Sequence, residues 1–105
     1  MDLNLKNKNV LITGATKGIG LELAHKFAEE GANIIFCARN YKLIQTNVNE
    51  IKKKYKINIL GKECDITNYS QIVNFINDVK NTFNGIDVLI NNAGSGSNET
   101  IMESN

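Results

Sequence analysis

Four short apolar runs alternate along the chain with longer stretches whose apolar residues recur every three to four positions. That alternation predicts strands covered on both faces and separated by helices, each helix pressing one stripe onto a sheet. Asn9 to Thr13 reads as the first strand and Gly18 to Glu30 as its helix, in which Ile19, Leu23 and Phe27 recur with Ala24 and Ala28 beside them. Glu29 and Glu30 face water, and Gly31 suits a left-handed helix end. Asn33 to Ala38, almost continuously apolar, is the second strand. Its helix runs from about Tyr41 to Tyr55, with Ile44, Val48, Ile51 and Tyr55 inward and Asn47, Lys52 and Lys53 directed largely away.

Ile57 to Leu60 reads as a short third strand, at an edge position that tolerates Asn58. A third helix follows Asp65-Ile66-Thr67, with Asn68 as its cap, Gln71 completing a capping box, and Ile72, Ile76, Val79 and Phe83 as its stripe. Gly85 releases the chain into the fourth strand, Asp87 to Ile90, which ends at Asn91-Asn92-Ala93-Gly94. Residues 95–105 are polar, and neither strand nor helix is expected there. The order βαβαβαβ implies an α/β fold: a three-layer sandwich with about four parallel strands in the order 3-2-1-4 and right-handed crossovers. The reversal between strands one and four opens a crevice at their carboxyl ends. The outer side of strand four is then an unpaired apolar edge that invites self-association.

Composition narrows the function classes. Twelve basic and eleven acidic side chains among 105 residues give a net charge of +1, so no global field attracts nucleic acid or an anionic membrane. The run Lys52 to Lys54 with Lys56 reads as a solvated helix end. Cys37 and Cys64 lack CxxC spacing and read as buried reduced thiols. There is no apolar run of signal-peptide or membrane-spanning length, so a cytoplasmic protein is expected. Asparagine is common and proline absent, without functional meaning attached to either. No residues have metal-site spacing, and His25, the only histidine, reads as inert on the solvent side of the first helix. Ser70, Ser95, Ser97 and Ser104 form no nucleophile elbow.

The chemistry lies in Gly14-x-x-x-Gly18-x-Gly20, between the first strand and its helix. Glycines there allow a tight turn and close backbone approach to a pyrophosphate, and the helix start turns unpaired amides toward the anion. The spacing resembles the cofactor motif of short-chain dehydrogenases/reductases in Thr13 to Gly20. Cys64-Asp65-Ile66-Thr67 resembles that family's segment beside the adenine, and Asn91-Asn92-Ala93-Gly94 the motif ending its fourth strand. The resemblance covers nearly the whole chain and implies a Rossmann-type domain, incomplete relative to a full seven-stranded one. It also implies a soluble carbonyl or alcohol oxidoreductase that is commonly a homo-oligomer.

Its candidate cofactor contacts are Gly14, Thr16, Lys17, Gly18, Ile19, Gly20, Arg39, Asp65, Ile66, Asn91, Ala93 and Gly94. Asp65 is open to two readings, an acceptor for the adenine amino group or a turn carboxylate at a helix start. After the second strand, where an NAD-selective site places an acidic side chain, the chain has Cys37-Ala38-Arg39-Asn40. Arg39 can pair with a 2′-phosphate and Lys17 can add charge, which favours NADP(H).

The family's catalytic residues are a tyrosine with a lysine four positions later, and a serine. Tyr41, Tyr55 and Tyr69 are followed four places on by Gln45, Ile59 and Val73, so the chain carries no such pair and no catalytic residue is assigned. The reading is therefore a dinucleotide-binding half over residues 1–94 and a polar tail over 95–105 that begins the rest of the domain. Such a half is expected to be inactive alone. The alternative is a non-catalytic dinucleotide-binding or interaction module. A 3-oxoacyl thioester or a small ketone or alcohol would suit the intact enzyme.

Overall fold

The computed structural model describes residues 4–13, 18–65, 67–91 and the backbone of 100–103. Its elements are β1 (Asn9–Thr13), α1 (Gly18–Glu29), β2 (Asn33–Ala38), α2 (Tyr41–Lys54), β3 (Ile59–Glu63), α3 (Tyr69–Phe83), β4 (Val88–Asn91) and β5 (Thr100–Glu103). The sheet order is β3-β2-β1-β4-β5. The first four strands are parallel in the expected 3-2-1-4 order. Thr13 faces both Cys37 and Asn91 in register, so β1 lies at the reversal of the sheet.

Strand alternation separates two apolar layers. Val10, Ile12, Ile34, Phe36 and Ile90 pack on one face with Ala24, Ala28 and Ile51 of α1 and α2. Leu11, Ile35 and Cys37 pack on the other with Phe75, Val79 and Phe83 of α3. Residues two apart in a strand share a face, and continuous apolar runs therefore feed both layers.

The structure departs from the expectations at several places. Residues 95–105 contain a strand after all: β5 runs antiparallel to β4, pairing Asn91 with Thr100 and Val88 with Glu103. The outer edge of β4 is thereby paired, because a row of free backbone groups is satisfied by any extended segment that reaches it. In α1 Leu23 and Phe27 pack half-buried against the core and Ala24 and Ala28 are buried with Gly20, but Ile19 is 56% exposed. Small residues win the buried positions because they let the helix axis approach the strands. Asn47 in α2 is buried, not directed outward. In α3 Phe75 joins the buried stripe, and Ile72 and Ile76 are only half-buried.

β3 also lies two to three residues later than its apolar run suggests, because its ladder follows β2 as far as Ala38 and Glu63. Lys62 there pairs with Asp78 of α3 at 3.3 Å. His25 is half-buried, with its ring edge-on to Tyr55 at 5.9 Å and Nδ1 3.4 Å from the Tyr55 hydroxyl.

Several asparagines hold strand and helix ends. Asn9 Nδ2 donates to the Phe83 and Gly85 carbonyls at 2.7 and 3.0 Å. Asn33 Nδ2 donates to Asn9 Oδ1 and Asn58 N to Asn33 Oδ1, each at 3.0 Å, which stitches the amino-terminal ends of the strands together. Asn40 and Asn68 cap α2 and α3, and Asn84 ends α3 in a left-handed conformation at φ 67°. Short amides suit all these places, since they bond nearby backbone and tolerate positive φ.

Candidate functional site

The carboxyl ends of β1, β2, β3 and β4 bring together the described members of the candidate site. Gly18 opens α1 with φ +65°, a conformation that disfavours side chains, and a Cβ there would have no described atom within 4 Å. The backbone is thus exposed just where α1 directs its first amides, a suitable approach for an anion. Gly20, two residues on, is buried. Gly14, Thr16, Lys17, Ile66, Ala93 and Gly94 lie outside the described residues.

At the β1/β4 boundary, Thr13 Oγ1 donates to Asn91 Oδ1 at 3.0 Å and reaches the Ile90 carbonyl at 3.4 Å. Asn91 is therefore held by β1 across the crevice. Thr13 is a positioning group that the sequence placed at the strand end and the head of the glycine motif, while the pairing of strands one and four decides its partner.

Arg39 and Asp65, far apart in sequence, meet at the ends of β2 and β3. Arg39 Nε lies 3.8 Å from Asp65 Oδ1, and its side chain is 73% exposed. Asp65 Oδ1 also accepts from the Thr67 amide at 2.9 Å and the Thr67 hydroxyl at 2.7 Å. The Thr67 hydroxyl first, then the Thr67 amide, hold the Asp65 carboxyl below the usual carboxylate range, and Arg39 adds to them. Asp65 N in turn donates to Gln71 Oε1 at 2.9 Å, while Gln71 N donates to Asn68 Oδ1 at 3.2 Å. Gln71 therefore completes no capping box on Asn68; it ties the Asp65 turn to the first turn of α3. The sequence places Thr67 in the segment beside the adenine and Gln71 in a capping box, but their bonds to Asp65 come only with the fold, although a hydroxyl two residues after an aspartate is a turn signal.

Beside these strand ends an apolar cleft of about 270 Å³ opens between α3 and the sheet, with Thr13 and Asn91 on its lining. Among the described residues no group of three or more histidine, cysteine or acidic side chains is placed to hold a metal ion, and no helix is long and apolar enough to cross a membrane.

The short chain dehydrogenase family model matches residues 8–105. The chain belongs to that family. It is 37% identical over 87 residues to the chloroplastic chlorophyll(ide) b reductase NOL of Arabidopsis thaliana, an alignment covering 83% of this chain and 25% of that protein. The L-sorbose reductase of Gluconobacter frateurii, solved with NADPH and L-sorbose, superposes with a TM-score of 0.87 at 38% identity, covering 100% of this chain and 40% of that one. An NAD+-bound xylitol dehydrogenase superposes with a TM-score of 0.77 at 28% identity, covering 81% and 32% of the two chains. This short-chain dehydrogenase sequence therefore spans well under half the length of the relatives it matches.

Proposed function

We propose that the chain is the dinucleotide-binding half of an NADP(H)-dependent oxidoreductase that interconverts a small carbonyl compound and its alcohol. The observation that carries the cofactor reading is Arg39: an exposed guanidinium just beyond β2, where a 2′-hydroxyl-reading carboxylate would otherwise stand. An ion pair as exposed as Arg39 with Asp65 is worth little, so Arg39 is available to a better anionic partner. A 2′-phosphate offers it a bidentate, charge-assisted contact. NADPH in the L-sorbose reductase supports this choice, whereas NAD+ in the xylitol dehydrogenase marks the cofactor as a local property and not one of the fold.

In this reading Gly14, Gly18 and the α1 amino terminus receive the pyrophosphate, with Thr16, Lys17, Ile19 and Gly20 in the same loop and helix start. Asp65 and Ile66 border the adenine. Asn91, Ala93 and Gly94 shape the strand end beside the ribose. The cofactor, when bound, supplies the hydride. Residues 1–94 hold it, and 95–105 lead into the remainder of a cytoplasmic, homo-oligomeric enzyme. Titrating the chain with NADPH and NADH by nicotinamide fluorescence tests the proposal. Arg39→Ala is expected to weaken NADPH on the order of tenfold or more, the loss of a charge-assisted contact, and to leave NADH nearly unchanged. Equal losses for both overturn the assignment.

A further inference from the structure

Cys37 and Cys64 are both buried, and both line the apolar cleft between α3 and the sheet. Cys37 stands opposite Lys62 in the β2/β3 register, so Cys64, two residues farther on, is its diagonal neighbour on the same face. Cys37 Sγ donates to the Cys64 carbonyl at 3.7 Å, which holds the two residues side by side on the cleft wall.

Two ordinary fates of such a pair fit poorly. One strand spacing and two residues of rise along parallel strands put such partners about 8 Å apart, and a disulfide does not close beyond about 7 Å between Cα atoms without backbone movement. Burial above all, then the Cys64 hydrogen bond and charge, push the Cys37 thiol far above the ordinary range, which suppresses the thiolate that alkylation or peroxide needs. What suits two adjacent protonated thiols is a centre that spans both sulfurs and removes both protons itself.

We propose that Cys37 and Cys64 form a dithiol site for a trivalent organoarsenical, whose organic group enters the cleft among Leu11, Ile72, Phe75 and Ile76. Two As–S bonds form and the arsenic–oxygen bond breaks. Both thiol protons leave with that oxygen as water, and arsenic stays trivalent, so no oxidant is required. The apolar lining favours an aryl substituent, since burial of such a group is stabilised by the area it removes from water. The adduct would bridge the end of β2 to the residue preceding Asp65.

The probe is phenylarsine oxide, added to the full chain and followed by intact-protein mass spectrometry. One phenylarsenic group less two hydrogens per native chain is expected, retained in excess monothiol and released by dithiothreitol. Cys37→Ser and Cys64→Ser, each checked for native circular dichroism, should lose the monothiol-resistant adduct, and Cys→Ala versions replace any serine variant that unfolds. Iodoacetamide should leave the native chain unmodified and alkylate both cysteines in urea. No adduct on the native chain, an adduct that survives loss of either cysteine, or one stripped by monothiol overturns the proposal.

Discussion

Gly61 is a point at which side chains of α2 press directly on β3. A Cβ built there would collide with Ile44 Cγ2 and stand 2.7 Å from Val48 Cγ2. Both neighbours are β-branched, and Ile44 is fully buried, so neither can swing aside. Gly61→Ala is expected to lower stability by about 1–3 kcal/mol through overpacking, read as a lower urea midpoint at unchanged slope. An unchanged midpoint would mean that α2 rides higher on β3. A glycine inside a strand commonly marks such an approach, yet the sequence reading ended the third strand one residue earlier, at Leu60. The same limit governs the site. Gly18, Arg39, Asp65 and Asn91 were legible because each sits at a fixed offset from a strand or glycine motif. The partners of Thr13, Thr67 and Gln71 were not, although each falls in a motif or cap, since those bonds depend on which strand or loop lies beside them. The Arg39 to Asp65 contact likewise exists only once β2 and β3 pair.

At the scale of elements, periodicity located every strand and helix of the parallel unit, because an apolar run or stripe is a local property of the chain. It erred on how the elements share their faces. Ile19 fits the spacing of α1 but is exposed at its first turn, where no described strand covers it. Asn47 is polar by residue type yet lies on the buried side of α2. β5 was missed for a different reason. Thr100 to Glu103 is too short to show a period, and its strand state comes from the ladder that β4 offers. Removing residues 100–105 should restore the open edge that the first four strands alone would present. The shortened chain is expected to elute as dimers or larger species with rising concentration in size-exclusion chromatography, while the full chain elutes unchanged. Identical elution of the two would show that β5 does not protect β4.

At the scale of the whole fold, the residues of the proposed dinucleotide site gather on one side of the sheet. The crevice lies where β1 separates β2 from β4, and Gly18, Arg39, Asp65 and Asn91 come from the carboxyl ends of the four parallel strands or the connections leaving them. That arrangement can hold a dinucleotide by its phosphates and adenosine. Proton delivery to a carbonyl needs a further group within hydrogen-bond reach of the substrate oxygen. None of the three tyrosines has a lysine four residues on, and each precedes β4 in the chain, so none matches the family's catalytic pair. His25 belongs to α1 and is engaged with Tyr55. The 105-residue chain is therefore expected to bind NADPH without consuming it. Mixed with NADPH and a panel of small ketones and 3-oxoacyl thioesters, it should leave the reduced-nicotinamide absorbance falling no faster than in buffer. Turnover that is abolished by Arg39→Ala would show that the chain assembles a proton donor outside the family pattern. Loss of absorbance independent of Arg39 would point to a contaminating reductase.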